Sequence, residues 1–232
     1  MAYIPVRIDF VDPGTQCSRI GDNGRHHGFK TNTATILLEE LSGNEYPFGP
    51  TCAQYMVCDK ALLRRIPDFT TRDFSLEEGD GDNGTGAFLG GYTNSAIATD
   101  NEKAHAYAKR YLMLRMDRVA SIPGIQSGIQ YAPLANIYSQ FKQTRQLTDS
   151  DVDYIINLEK FPKTPATFRS NHLLDVYTAY VQLQRQIKRA NPRKFHDILV
   201  SVRDNSLLKN LKLSGPQIKM AKLKLHPKAF QG

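Results

Sequence analysis

At 232 residues, with 41% hydrophobic residues, the chain is long enough to bury a core and has room for one or two domains. No apolar run approaches the roughly 18 residues of a membrane span, and MAYIPVRIDF is too short and too polar for a signal peptide, so a cytoplasmic protein without a membrane partner is expected. The net charge of +7 is unevenly placed: residues 145–232 hold 16 of the 30 Lys and Arg but only 7 of the 23 Asp and Glu, a balance of +9, which leaves −2 for residues 1–144. A basic half beside a near-neutral half points to an anionic partner, and nucleic acid fits that role best.

Taken in order, residues 3–10 alternate apolar and polar, with Ile4, Val6, Ile8 and Phe10 on one face, which predicts a half-buried strand whose Pro5 belongs at a sheet edge. Residues 12–32 have neither helical nor strand periodicity and read as a glycine-rich loop carrying Cys17, His26 and His27. Residues 35–41 and 45–48 then form a hairpin about Ser42-Gly43-Asn44. Thr51 and Gln54 have capping-box spacing, predicting a helix from Cys52 to about Arg65, closed by Pro67. Residues 76–96, rich in glycine and carrying Asp80 and Asp82, match neither a calcium loop nor a phosphate cradle and read as a mobile loop.

From Thr99, a capping box with Glu102 opens a helix with Ala104, Tyr107, Ala108, Tyr111, Leu112 and Val119 on its apolar stripe, stopped by Pro123-Gly124. Arg110, Arg115, Arg118 and Lys103 fall off that stripe and read as a solvated face, and His105 as a surface or capping histidine. The remainder is helical. Residues 171–189 form a clear amphipathic helix with Leu173, Leu174, Tyr177, Tyr180, Val181, Gln184 and Ile187 at helical spacing, its aromatics read as core. Around it one scheme recurs: a helix, a break, then Leu147-Thr148 with Asp151, and again Leu213-Ser214 with Gln217. The fold class is therefore α+β. A small N-terminal β-hairpin, zinc-finger-like module with a flexible Gly/Asp loop (residues 1–98) precedes a mainly α-helical, basic domain (residues 99–232).

Three cysteines, an odd and sparse set, do not make a disulfide framework. They supply candidate zinc ligands instead: Cys17, His26, His27, Cys52 and Cys58. Cys52 and Cys58 lie six residues apart, about 120° off a common face of an unbroken helix, which separates their thiols. No metalloprotease, nucleophile-elbow or Walker pattern is present, so no catalytic residue is assigned. For nucleic acid the candidates are Arg25, Lys30, Arg64, Arg65, Arg110, Arg185, Lys188, Arg189, Arg193, Lys194, Lys209, Lys212, Lys219 and Lys222, with Lys224 and Lys228 continuing the patch. Residues 185–232 carry 12 basic and 2 acidic side chains, a density suited to phosphate contacts.

The hairpin followed by Phe48-Gly49-Pro50-Thr51-Cys52-Ala53 resembles the second half of zinc-ribbon-like modules of phage and plasmid proteins, and the Leu-Thr and Leu-Ser capped helices resemble the helical regions that accompany them. The first half departs from that pattern, with Cys17 and the His pair where a Cys-x-x-Cys knuckle is expected. In size, basic charge, finger-like N-terminus and helical remainder the chain is also similar to the large subunits of plasmid-borne type IV CRISPR effector complexes. That resemblance implies a subunit that contacts the guide-RNA end and the motif flanking the DNA target without cleaving, beside other protein subunits. The expected function is thus a non-catalytic nucleic-acid-binding subunit of a nucleoprotein complex. The alternatives are a phage structural or inhibitory protein that binds another protein, and a metal-dependent nuclease using Asp80 and Asp82.

Overall fold

The computed structural model describes residues 2–21, 24–72, 99–190 and 193–231. The Gly/Asp loop, with Asp80 and Asp82, lies outside them. An N-terminal antiparallel β region precedes a mainly helical one, as the α+β reading expects. The chain divides into two compact units, Met1–Arg110 and Tyr111–Gly232, a division that falls inside a helix.

The first unit contains β1 (Tyr3–Phe10), β2 (Gln16–Ile20), β3 (His26–Gly28), β4 (Thr33–Glu39), β5 (Glu45–Phe48) and α1 (Pro50–Met56). One antiparallel sheet has the order β1-β4-β5, and β2 pairs with β3 in a second. Leu37 of β4 and Phe48 of β5 pack with Cys17, Ala53, Val57, Leu63 and Ile66 as the core. Each large apolar side chain buried there contributes about 1.5–3 kcal/mol.

The β1 face differs from the alternation read in the sequence. A register break between Pro5 and Arg7 shifts the pairing with β4, so Arg7 and Asp9 are buried while Ile8 and Phe10 are only half-buried. The buried charges compensate each other: Arg7 Nε donates to Asp9 Oδ2 (2.9 Å), and its Nη2 meets Glu45 Oε2 (2.7 Å). β1 does lie at an edge, as Pro5 suggested, and part of that edge is covered: Ile8 N donates to the Pro67 carbonyl and Phe69 N to the Ile8 carbonyl.

Two further expectations are corrected. Residues 12–32 are not an irregular loop throughout, because β2 and β3 form a hairpin there. Its strands are mostly exposed apart from Cys17, so they carry no apolar alternation to read. Helix α1 starts two residues earlier than expected and uses no capping box: Gly49 is the N-cap, without a side-chain bond, and Pro50 takes the first turn, where its missing N–H costs nothing. It ends at Met56, well short of Arg65, and a separate 3-10 turn, Lys60–Arg64, follows.

α2 (Asp100–Met113) opens on the Thr99–Glu102 capping box and passes into a π-helical segment, Leu114–Arg118. Tyr107, Ala108, Tyr111, Leu112 and Val119 are buried as the stripe predicts. The supposed solvated face is not all solvated. Arg110 is wholly buried, donating to the Thr71 carbonyl, Arg115 is buried and donates to the Ile129 carbonyl (2.9 Å), and His105 is buried as well.

The second unit continues with α3 (Ala135–Thr144), α4 (Asp149–Lys160), α5 (Ser170–Arg189), α6 (Arg193–Ser201), a second π segment (Val202–Leu207), α7 (Leu208–Asn210) and α8 (Gly215–Met220). On α5 the fully buried line is Leu173, Val176, Ala179 and Leu183, while Tyr177, Tyr180, Val181 and Gln184 are half-buried. The recurring scheme is real geometry. Arg145 and Leu211 both close a helix in the left-handed conformation (φ 57° and 51°), Leu147 and Leu213 two residues on are both buried, and Thr148 and Ser214 both cap the next helix through reciprocal boxes with Asp151 and Gln217. Among the described residues no helix is long and apolar enough to cross a membrane.

Candidate metal centre and basic face

Three elements of the first unit converge on one point. Cys17 stands on β2, His27 on β3 and Cys52 on α1, and their ligand atoms all lie within 4.8 Å of one another. Cys17 is fully buried and Cys52 nearly so, while His27 is exposed at the mouth. Cys52 Sγ is 3.7 Å from His27 Nε2. With metal–sulfur bonds of about 2.3 Å and metal–nitrogen bonds of about 2.0 Å, tetrahedral angles put two ligand atoms roughly 3.5–3.8 Å apart, so this pair already has ligand spacing. The group can hold a metal.

The local sequence accounts for the choice of ligands. Neighbours on a strand point to opposite faces, so only one of His26 and His27 can reach the sulfurs. His27 does. His26 Nδ1 instead donates to the Cys17 carbonyl (2.8 Å), tying β3 to β2 behind the ligand. Gly49, next to Pro50, brings its N–H to Cys17 Sγ (3.4 Å), and a Cβ there would come within 3.3 Å of His27 Nε2. Burial first, then the proximity of Cys17, raises the Cys52 thiol above its usual range, with Arg19 acting against them; that guanidinium also lies 4.5 Å from the Tyr55 ring centroid. Cys58 lies past the end of α1, exposed and outside the group. Sequence reasoning named the three ligands but not Gly49 or Arg19. The Gly-Pro before a cysteine helix was the available signal for Gly49.

The basic candidates separate into two sets. Arg64 holds the buried Glu102 through Nε and Nη2 (3.2 and 3.3 Å), and Arg65 approaches the same carboxylate at 3.6 Å. Burial would raise Glu102, yet the Thr99 N–H and the Arg64 guanidinium more than offset it and hold the carboxyl below its usual range. Arg110 has no exposed surface and stacks near Tyr107. Arg110 therefore cannot face a phosphate, which corrects the sequence expectation, and Arg64 is already engaged. Arg185 is half-buried on α5. The Arg193 and Lys194 side chains lie outside what the structure describes.

The other set is presented to solvent. Arg25 and Lys30 are exposed around the β2–β3 hairpin, and Lys188 and Arg189 end α5 exposed. Lys209, Lys212, Lys219, Lys222, Lys224 and Lys228 are all exposed, and the last acidic residue before them is Asp204. Asp204 itself is held by Arg203 (2.7 Å). Residues 205–231 thus present six lysines and no carboxylate side chain. No protein-family model, no curated protein and no solved structure matches the chain.

Proposed function

We propose that the chain is a non-catalytic nucleic-acid-binding subunit of a nucleoprotein complex, with zinc stapling its N-terminal module and its lysine-rich C-terminal stretch gripping the phosphate backbone. The carrying observation is the six exposed lysines of residues 205–231, with no acidic side chain among them. Lysine is a hydrated point charge that meets phosphate without demanding a sequence, which suits a scaffold contact. Two thiols and one imidazole are a donor set that suits zinc, and a zinc held there would pin the β2–β3 hairpin to α1. The resemblance to type IV CRISPR large subunits supplies the assembly in which we place it: a cytoplasmic complex with guide RNA, target DNA and other protein subunits.

Binding of labelled RNA and DNA oligonucleotides across a salt series tests the reading. Six lysine contacts give log K against log salt a slope of about −4 on a single strand and about −5 on a duplex. Replacing the six lysines by glutamine abolishes that slope and leaves the melting temperature in place. No binding, or binding indifferent to both salt and the lysines, overturns the proposal. Elemental analysis of the purified chain is expected to find one zinc, lost in Cys17→Ser and in Cys52→Ser; a zinc-free wild type removes the staple.

A further inference from the structure

The same C-terminal stretch folds around a cavity. Leu213, Ile218, Leu223 and Leu225 line its apolar floor, and Lys212 and Lys219 stand at its rim, around about 450 Å³ of space. That lies within the roughly 300–1,000 Å³ of small-ligand clefts. None of the lining residues is acidic. Both rim lysines are exposed, and neither pairs with a carboxylate among the described residues.

The walls are held from behind by polar anchors. Gln182 of α5 clamps Lys224 at both backbone groups, its Nε2 donating to the carbonyl and its Oε1 accepting from the N–H, each at 2.7 Å. Phe230 N donates to the buried Asp175 (3.4 Å), and the Phe230 ring meets His172 edge to face. On the opposite side the Ser214–Gln217 capping box sets the start of α8, which carries Ile218 and Lys219. The cleft is pre-formed, so a ligand orders little on entering it.

We propose that this cleft takes one unpaired nucleotide of a single strand, the base on the aliphatic floor and its flanking phosphates on Lys212 and Lys219. The inference rests on the nucleic-acid reading above and adds the substrate class. A duplex offers phosphates, but its bases stay stacked and cannot reach a floor of this kind. A single strand can turn one base into it, which couples the apolar floor and the cationic rim in one contact. A free small anion would leave the floor unused.

The test compares three labelled 12-nucleotide probes by fluorescence anisotropy with the full chain at one salt concentration: an oligothymidine strand, an abasic strand with the same phosphates, and a blunt duplex. The base-bearing strand is expected to bind about tenfold more tightly than the abasic one, since burying roughly 55 Å² of base surface on the aliphatic floor at about 25 cal/mol per Å² suffices for that factor, and more tightly than the duplex. Ile218→Glu, which puts a carboxylate on the floor, removes that preference while duplex binding persists. Lys219→Gln, which leaves the floor intact, weakens all three probes and reduces the single-strand salt slope by about 0.7. Equal affinity for base-bearing and abasic strands, or a duplex preference, overturns the cleft proposal and leaves the nucleic-acid reading standing. Failure of all three probes to bind overturns both.

Discussion

Three arginines of the first unit and the lysines of the C-terminal stretch have opposite fates. Arg7 and Arg110 are held inside by Asp9, Glu45 and the Thr71 carbonyl and the half-buried Arg64 is tied to Glu102, whereas the six lysines after Asp204 face solvent without an acidic neighbour in the chain. The residue types follow the task. A guanidinium presents several donors in a rigid plane and satisfies buried oxygens, while an ammonium on a flexible stem stays hydrated at the surface. Net charge per segment therefore overstates what the first unit can offer an anion and describes the last stretch fairly. Arg115 extends the rule to the second unit, buried against the Ile129 carbonyl and over the Tyr131 and Phe168 rings.

This contrast is open to experiment, and the largest effect should come from Arg7. Arg7→Leu removes a counter-charge from the buried Asp9, and loss of one partner from a buried pair costs about 3–5 kcal/mol. Denaturant titration should show that loss with oligonucleotide affinity unchanged for the folded fraction. Weakened binding without loss of stability would erase the distinction between the two sets.

Lys109 comes next, a cation of the first unit that is mostly buried. Burial first, and the nearby Arg65 second, lower its ammonium from 10.5 to about 8. The unfolded chain keeps this proton to about pH 10.5 and the folded chain releases it near 8. Between those values the unfolded state binds more protons, so stability rises with pH across that window. Lys109→Met should stabilise the protein at neutral pH by about 1–3 kcal/mol and flatten the rise, as read by denaturation at both ends of the window.

The caps of the second unit carry smaller effects. Thr148→Ala and Ser214→Ala each remove a reciprocal box and should cost about 1 kcal/mol in thermal denaturation. In Ser214→Ala the rim of the cleft loosens too, so single-strand affinity should fall, whereas Thr148→Ala should leave it unchanged. Smallest is Arg145→Gly, which relieves a left-handed backbone and should raise stability by up to about 1 kcal/mol. The same change at Leu211 should destabilise, because that side chain is fully buried.

What could be read in advance follows the range of the interactions. The capping boxes at Thr99, Thr148 and Ser214 and the long helix over Ser170–Arg189 depend on residues a few positions apart, and they stand where the sequence puts them. The burial of Arg110 and Arg115 depends on carbonyls 39 and 14 residues away, and the inward turn of Arg7 on a single break in strand register. Neither leaves a trace in periodicity. The metal group shows both sides. Its ligand types were legible, but the choice of His27 over His26 needed the β2–β3 hairpin, which has almost no apolar pattern to announce it.

The two π-helical segments bear on what this chain tolerates. After α2, the Val119 N–H reaches back five residues to the Leu114 carbonyl (3.0 Å). Such a turn holds one residue more than the α-helical frame allows. Deleting any one residue between Leu114 and Arg118 would restore the ordinary frame and leave the buried Val119 and Ile122 facing as they do, whereas deleting one residue within α2 itself would rotate them by about 100° relative to the helix before the gap. At this joint a one-residue change of length is the tolerated variation, so a distant relative would betray itself there by a one-residue gap sooner than by any shared side chain.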